Sequence, residues 1–354
     1  MTEIKKIKAG IIGATGYAGA ELCRLLSAHP NVEIAAVSSV SFEGQMLDDI
    51  YPNLAGICAK QLVNADDVVA ASDVIFAALP HGLSEPLGRT CADAGKILID
   101  LGADFRLHDE AQYTKWYDNK VFTEPELHKK AVYCIPELHR DEIKDTPIIA
   151  NPGCYPTSIG LGLAPLLTAA KNGLEGAILC DSIIVDSKSG VTGAGRNLTQ
   201  GTHYPDTNEA FAAYKAGSHR HTPEIEQTLS ILAGKPIKVT FVPHLLPVNR
   251  GIESSIYVQT GLTKEEVRKL YEDFYKDERF VRVMPDGAYA NIKNIRVSNY
   301  CDISIHMDKH TSTLIISSVI DNMVKGAAGQ AIQNMNIRFG FEESAGLLSA
   351  PPVF

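Results

Sequence analysis

Three stretches of the chain carry residues that can do chemistry. The first is Ile149-Ala-Asn-Pro-Gly-Cys-Tyr-Pro-Thr-Ser158. Pro147 to Ala150 reads as a buried strand, Asn151-Pro152-Gly153 breaks it, and helical spacing begins near Pro156, a residue suited to a first helical turn. Cys154 then sits on a tight turn from strand to helix. A thiol there faces unpaired N–H groups and the positive end of the helix dipole, both of which favour thiolate and make the cysteine a nucleophile. The competing use is a small buried residue filling the turn. The second stretch is Gly217-Ser-His-Arg-His-Thr-Pro-Glu-Ile225. His219 and His221 point to one side if the segment is extended, and Thr222 reads as the N-cap of a helix with Pro223 at its first position. An imidazole suits a thiolate, because it takes the proton and later returns it. Two histidines so close also suit a metal, but no third histidine or carboxylate cluster joins them, so no metal is expected. The third stretch, Ser187-Lys-Ser-Gly-Val-Thr-Gly-Ala-Gly-Arg196, reads as a glycine-rich loop that carries Lys188 and Arg196.

These groups need elements to hold them. Near the N-terminus, Lys8 to Ala14 is a short apolar strand running into Gly13-Ala-Thr-Gly-Tyr-Ala-Gly19. Leu22, Leu25 and Leu26 share a helix face that ends at His29-Pro30, and Val32 to Val37 is the next strand. Strand, glycine loop, helix and strand make a dinucleotide-binding unit: one glycine forms the turn, one admits the pyrophosphate, and one lets helix and strand pack closely. Gly13, Thr15, Gly16, Tyr17, Ala18 and Gly19 are the cofactor contacts this predicts. The second strand ends in Ser38-Ser39, with no carboxylate before Glu43. Hydroxyls donate to a 2′-phosphate where a carboxylate would repel it, so NADP(H) is expected over NAD(H). Strands at Asp73–Leu79 and Lys96–Leu101 follow. Pro80, His81 and Gly82 after the first are expected near the nicotinamide. Arg106, past the end of the second, lies where open α/β sheets bind ligands, and its forked guanidinium suits a phosphate.

From about residue 155 the pattern changes. Strand character recurs at Asp181–Val185, 237–243, 251–259, 299–307 and 312–320 without a helix after each. The expectation is therefore an α/β fold. A Rossmann dinucleotide-binding domain of residues 1–153, completed by a C-terminal helical segment at 322–354, precedes an α+β catalytic domain at 154–321 with a mostly antiparallel sheet.

Composition bounds the partners. The net charge of −9 argues against nucleic acid or an acidic membrane surface, while leaving room for a small anionic substrate. No run approaches the ~20 apolar residues of a membrane span, and the N-terminus lacks the pattern of a signal peptide. The cysteines number seven, with no CxxC pair, so neither a disulfide framework nor a zinc ribbon is indicated and a cytoplasmic setting is expected.

Taken together, Gly13–Gly19, Leu101-Gly-Ala-Asp-Phe-Arg106, Asn151-Pro-Gly-Cys-Tyr-Pro-Thr157, Lys188–Arg196, His219-Arg-His-Thr-Pro-Glu224 and Asp321-Asn-Met-Val-Lys-Gly-Ala-Ala-Gly-Gln330 resemble the N-acetyl-γ-glutamyl-phosphate reductases of arginine biosynthesis, in their longer, type 1 form. The resemblance runs from residue 8 to about 338. It implies NADPH, a homotetramer and a thioester mechanism, in which Cys154 attacks an acyl phosphate and hydride reduces the resulting thioester. His219 or His221 would take the thiol proton, with Glu224 orienting it. Arg106, Lys188, Arg196 and Arg220 would meet the substrate, and Ser189, Gly190 and Asn322 would lie by the nicotinamide. At Gly102 the chain departs from the serine of many members, and a lost hydroxyl contact is the expected consequence. Aspartate-semialdehyde dehydrogenase and an aminoadipate-semialdehyde analogue of lysine biosynthesis share most of this machinery. A non-catalytic NADP(H) sensor is the alternative of another class.

Overall fold

The computed structural model describes residues 6–179 and 182–354. Its internal contacts divide into two compact units, Met1–Pro152 with Ala327–Ser349, and Gly153–Gly326 with Ala350–Phe354. Residues 322–326 and 350–354, expected with the first body, thus belong to the second. There Asn322 Oδ1 accepts from the Gly251 N–H at 2.8 Å, and Arg296 donates to the Phe354 carbonyl at 2.9 Å.

Seven strands build the first unit: β1 Ile7–Ile12, β2 Val32–Ser38, β3 Leu62–Val63, β4 Val74–Ala77, β5 Ile97–Asp100, β6 Ala131–Tyr133 and β7 Ile148–Ala150. They form one all-parallel sheet in the order β3-β2-β1-β4-β5-β7-β6. A parallel sheet is covered on both faces, so its strands are continuously apolar; Val74 to Ala77 are fully buried. The turns after β1, β4, β5 and β7 emerge at the same edge, where such sheets bind ligands. The helix Gly329–Arg338 packs in this unit with polar as well as apolar side chains buried. Asn336 meets His29 at 2.9 Å, Gln333 donates to Glu137 at 2.9 Å, and Asn334 donates to Asn151 at 3.2 Å.

The second unit holds β8 Ser182–Gly190, β9 Ala212–Ala213, β10 Lys238–Leu246, β11 Ile252–Gln259, β12 Val281–Val283, β13 Cys301–Asp308 and β14 Thr313–Ile320. The sheet order is β12-β13-β14-β11-β8-β10-β9; β8 with β10 and β12 with β13 run parallel, and the other pairs antiparallel. Asp181, expected to open β8, lies outside the described residues. Lys188, Ser189 and Gly190, expected in a loop, are the end of β8, because ladders to β10 and β11 hold them from both sides.

The helix Cys154–Lys171 covers one face of this sheet. Gly162 makes the close approach possible, since a Cβ there would stand 2.6 Å from Ile256 Cδ1. Pro165 has no N–H for the Leu161 carbonyl, and the Tyr275 hydroxyl donates to that carbonyl instead. The Ser158 hydroxyl donates to the Ser318 carbonyl at 2.9 Å and meets the Ser254 hydroxyl at 3.0 Å, which fixes the helix's register on the sheet. The opposite face carries the alternate residues of each strand and is half open; Ile184 is 45% exposed. No described helix is long and apolar enough to cross a membrane.

Candidate active site

The helix Cys154–Lys171 starts two residues earlier than its spacing suggests, so Cys154 is its first residue and the extended Gly153 its N-cap. Cys154 is thus surrounded by the first-turn N–H groups, which have no intrahelical acceptor. Among the described cysteines it alone is not buried. Two features hold the turn. The Gly153 N–H donates to Glu224 Oε1 at 2.7 Å, and Glu224 is fully buried. Gly326 backs the cysteine so closely that a Cβ there would come within 2.7 Å of Cys154 Cβ. Glu224, expected to orient a histidine, therefore makes a direct bond to the nucleophile's turn.

The histidines reach the same place through Tyr155. Its ring lies edge-on to His219 at 5.4 Å and to His221 at 5.8 Å, and its hydroxyl meets that of Tyr214 at 2.9 Å. The two imidazoles are 5.0 Å apart. The segment is a turn rather than extended, and the helix Thr222–Ala233 has His221 as its N-cap. Thr222, expected as the cap, is the first helical residue, and its buried hydroxyl has no hydrogen-bond partner among the described residues. Neither Tyr155 nor Tyr214 is legible as a site residue in the sequence, since an aromatic beside a cysteine reads equally well as core.

Electrostatics separates the histidines. His219 Nδ1 accepts from the His221 backbone N–H at 3.1 Å, so the neutral ring carries its proton on Nε2. Burial first, then the cationic neighbours His221, Lys215 and Arg220, push its pKa down to about 3. His219 is therefore a neutral hydrogen-bond donor at physiological pH. Tyr214 is pushed up to about 12, mainly by burial, with the nearby Cys154 charge adding to it despite the opposing bond from Tyr155.

Other expected residues of this unit fall into two groups. Ser189 is buried, its hydroxyl donating to the Gly190 carbonyl at 3.0 Å. The Gly190 backbone runs against Asn249 and Arg250, where a Cβ would come within 2.7 Å. Asn322 is buried, its Oδ1 held by Gly251 and its Nδ2 by the Thr192 hydroxyl at 2.9 Å. It supports the turn after β8 rather than presenting an open amide. Lys188 points to the half-open sheet face, away from the helix of Cys154. There its ammonium reaches Asp186 and Glu253 at 3.4 Å and Ser255 at 3.0 Å. Arg196 is half-buried and Arg220 exposed, both in the loops of this unit.

In the first unit the three loop glycines divide their tasks. Gly13 has φ +86°, and a Cβ on it would stand 2.3 Å from the Ala78 carbonyl oxygen. One on Gly19 would stand 2.2 Å from the Gly13 carbonyl oxygen, whereas Gly16 has only that oxygen near, at 3.4 Å. Gly16 therefore leaves the loop open to an incoming phosphate. Thr15, Tyr17 and Ala18 complete the loop and the start of the helix Tyr17–Leu26. Ser38 and Ser39 are both buried. The Ser38 carbonyl accepts from the Gly13 and Ala14 N–H groups, and Ser39 Oγ meets Thr15 Oγ1 at 2.6 Å. The serines thus brace the loop, and the exposed positions between β2 and Gln45 are Val40, Ser41, Glu43, Gly44 and Gln45 itself.

The turns after β4 and β5 are joined by two carboxylates that the sequence does not single out. Asp104 approaches His81 Nδ1 at 2.5 Å and accepts from the N–H groups of Gly82 and Ser84, each at 2.7 Å. Burial alone would raise its pKa, but these donors outweigh it and hold the carboxyl below the usual carboxylate range. Asp100 is fully buried; Oδ1 accepts from the Ser84 hydroxyl at 2.6 Å and the Gly102 N–H at 2.8 Å, while Oδ2 has no partner among the described residues. Burial raises this carboxyl to about 6. A Cβ on Gly102 would stand 2.9 Å from Asp100 Oδ1 and 3.0 Å from Ser84 Oγ. The glycine is therefore crowded by a hydroxyl from the neighbouring turn, more than the lost contact expected. Arg106 is buried and donates to the carbonyls of Asn151 at 2.9 Å and Leu101 at 2.8 Å.

Comparisons with known proteins fit this division. Residues 8–146 match the family described as semialdehyde dehydrogenase, NAD binding domain, and residues 154–322 that described as semialdehyde dehydrogenase, dimerisation domain. A protein of Clostridium beijerinckii named N-acetyl-gamma-glutamyl-phosphate reductase is 58% identical over 98% of this chain and 100% of its own. One of the same name from Brachyspira hyodysenteriae is 53% identical over 98% of this chain and 100% of its own. Among solved structures, aspartate semialdehyde dehydrogenase II of Vibrio cholerae complexed with ASA aligns with a TM-score of 0.72 at 16% identity, covering 95% of this chain and 99% of that one. Aspartate semialdehyde dehydrogenase with NADP from Candida albicans aligns at 0.67 with 17% identity, covering 94% and 98%. At such identities these structures speak for the fold alone.

Proposed function

The chain belongs to the N-acetyl-γ-glutamyl-phosphate reductase family, and from that premise we propose that it reduces N-acetyl-γ-glutamyl phosphate with NADPH through a thioester on Cys154. The observation that carries the mechanism is the half-buried thiol at the first position of a helix, its turn fixed by buried Glu224. The thiolate attacks the acyl carbon, and the C–O bond to phosphate breaks, releasing inorganic phosphate. NADPH bound at the glycine loop would supply the hydride that reduces the thioester carbon. The thiohemiacetal collapses to N-acetylglutamate 5-semialdehyde and returns the thiolate. A soft sulfur suits both steps, because it attacks well and leaves well.

His221 is the residue we assign as acid and base. His219, whose Nδ1 is occupied by a backbone N–H, keeps an Nε2 proton suited to stabilising a developing oxyanion. Arg106, at the ligand-binding edge of the parallel sheet, is assigned to the acyl phosphate. Arg196 and Arg220 are assigned to the substrate's carboxylate. NADP(H) is assigned to the glycine loop Gly13–Gly19 and the turn Pro80–Gly82, with preference for the phosphorylated form resting on the absence of a carboxylate after β2. The half-open face of the second sheet, within the stretch whose family is described as a dimerisation domain, supports self-association, with a homotetramer expected. Light scattering on the purified chain reads that state directly. A cytoplasmic setting accords with a pathway of amino-acid synthesis.

Single-turnover chemistry without NADPH tests the mechanism. One phosphate released per chain, together with an acyl adduct on the Cys154 peptide by mass spectrometry, is expected. Phosphate release with no adduct on Cys154 would overturn it.

A further inference from the structure

The turns after β4 and β5 each carry one group assigned above: the nicotinamide-side Pro80–Gly82, and Arg106 for a phosphate. Polar bonds across the gap make them one object. Asp104, four residues past β5, stands in ion-pair range of His81 Nδ1 and accepts from the Gly82 N–H and the Ser84 N–H of the other turn. Asp100, the last residue of β5, takes the Ser84 hydroxyl, and with the same oxygen the Gly102 N–H of its own turn. Both carboxyl groups are fully buried, so water offers these donors no alternative acceptor. A movement of His81 to Ser84 therefore drags the segment Leu101–Arg106, and the reverse.

We propose that Asp104 and Asp100 are positioning residues that couple the two turns, so that a nicotinamide dinucleotide at the first and a phosphate at Arg106 each strengthen the binding of the other. The sign follows from ordering: whichever ligand arrives first fixes both turns, and the second loses less freedom on binding. This rests on the assignment of Arg106 to phosphate.

Titration calorimetry on the full chain tests it, with NADP+ and inorganic phosphate as probes, each measured without and with saturating amounts of the other. The native protein is expected to show at least ~5-fold tightening, equal in both directions as linkage requires. Asp104→Asn, which turns an acceptor into a donor facing backbone N–H groups, should bring the factor near one. Ser84→Ala, which removes only the hydroxyl bridge to Asp100, should fold normally and lower the factor part-way. Thr90→Ala, in the helix Ser84–Asp93 that begins at Ser84 and with its hydroxyl donating to the Pro86 carbonyl, should leave it at the native value. Phosphate binding that needs Arg106, shown by its loss in Arg106→Met, but is blind to NADP+ would overturn the coupling while leaving the arginine's assignment standing. Native coupling in both Asp104→Asn and Ser84→Ala would overturn the role of the carboxylates. Phosphate binding that survives Arg106→Met would overturn the assignment and the coupling with it.

Discussion

Replacing Asp100 by asparagine should make the first unit relatively more stable as the pH rises. The carboxyl is fully buried and titrates at about 6 against an ordinary 3.8. Its raised value means that the folded chain holds a proton which the unfolded chain has already released. Stability from that proton is complete below pH 3.8 and lost as the pH rises through about 6. At ~1.4 kcal/mol per pH unit, the native protein loses roughly 2 kcal/mol relative to a non-titrating residue between pH 4.5 and 8. Asparagine retains an oxygen for Ser84 and Gly102 and carries no charge. Its amide replaces Oδ2, which has no partner among the described residues, a constant cost of ~1–3 kcal/mol that does not depend on pH. The difference in melting temperature, variant minus native, should therefore rise by about 4–8 °C from pH 4.5 to 8, at ~2–4 °C per kcal/mol. The chain has a single tryptophan, Trp116, packed in the first unit against Leu107, Tyr113 and Tyr117, so its fluorescence reads the relevant unfolding. A difference that stays flat or falls with pH would refute the reasoning.

Five further substitutions, at four positions, probe the second unit. Glu224→Ala removes the acceptor of a buried N–H and should cost ~1–3 kcal/mol of stability and most of kcat; Glu224→Gln keeps an oxygen and should lose ~10-fold in kcat with little change in melting. His219 is neutral down to about pH 3, so the acid limb of the pH–rate profile should persist in His219→Asn at reduced rate and disappear in His221→Asn. The same depressed value makes folding less favourable as the pH falls from 6.5 toward 3, where only the unfolded chain gains the proton, and His219→Asn should flatten that part of the melting curve. Gly326→Ala forces a methyl to within 2.7 Å of Cys154 Cβ, and should lower kcat by ~10-fold or more while NADP+ binding by fluorescence stays native.

The sequence speaks most clearly where local pattern and chemistry coincide. Glycines at 13, 16 and 19 between a strand and a helix leave few alternatives to a nucleotide loop, and the structure gives Gly13 and Gly19 contacts that admit no side chain. A cysteine after Pro-Gly at a strand end is legible for the same reason. Long-range pairing is not. Lys188-Ser-Gly190 has the composition of a loop, yet two neighbouring strands make it a strand and turn the lysine toward Asp186 and Glu253. Ser38 and Ser39 sit where a cofactor hydroxyl belongs, but Ser39 bonds Thr15, a partner 24 residues away in sequence. Asn151 reads as a strand breaker; folded, it is a fully buried tie whose Nδ2 donates to the Ala327 carbonyl at 3.1 Å and whose own carbonyl accepts from Arg106. Asp100 is visible in the sequence only as a carboxylate closing the apolar strand Ile97-Leu-Ile-Asp100, a position where burial demands a hydrogen-bond partner that the sequence does not name.

The most direct test of the thioester reaction is phosphate-dependent reduction of NADP+ with N-acetylglutamate 5-semialdehyde, by native chain and Cys154→Ala, with aspartate semialdehyde and the aminoadipate analogue in parallel. Turnover that requires phosphate, favours the acetylglutamate compound and falls by ~10⁴-fold or more in the variant is the expected result. Native-level turnover in Cys154→Ala would contradict the covalent mechanism, and preference for another aldehyde would contradict the substrate.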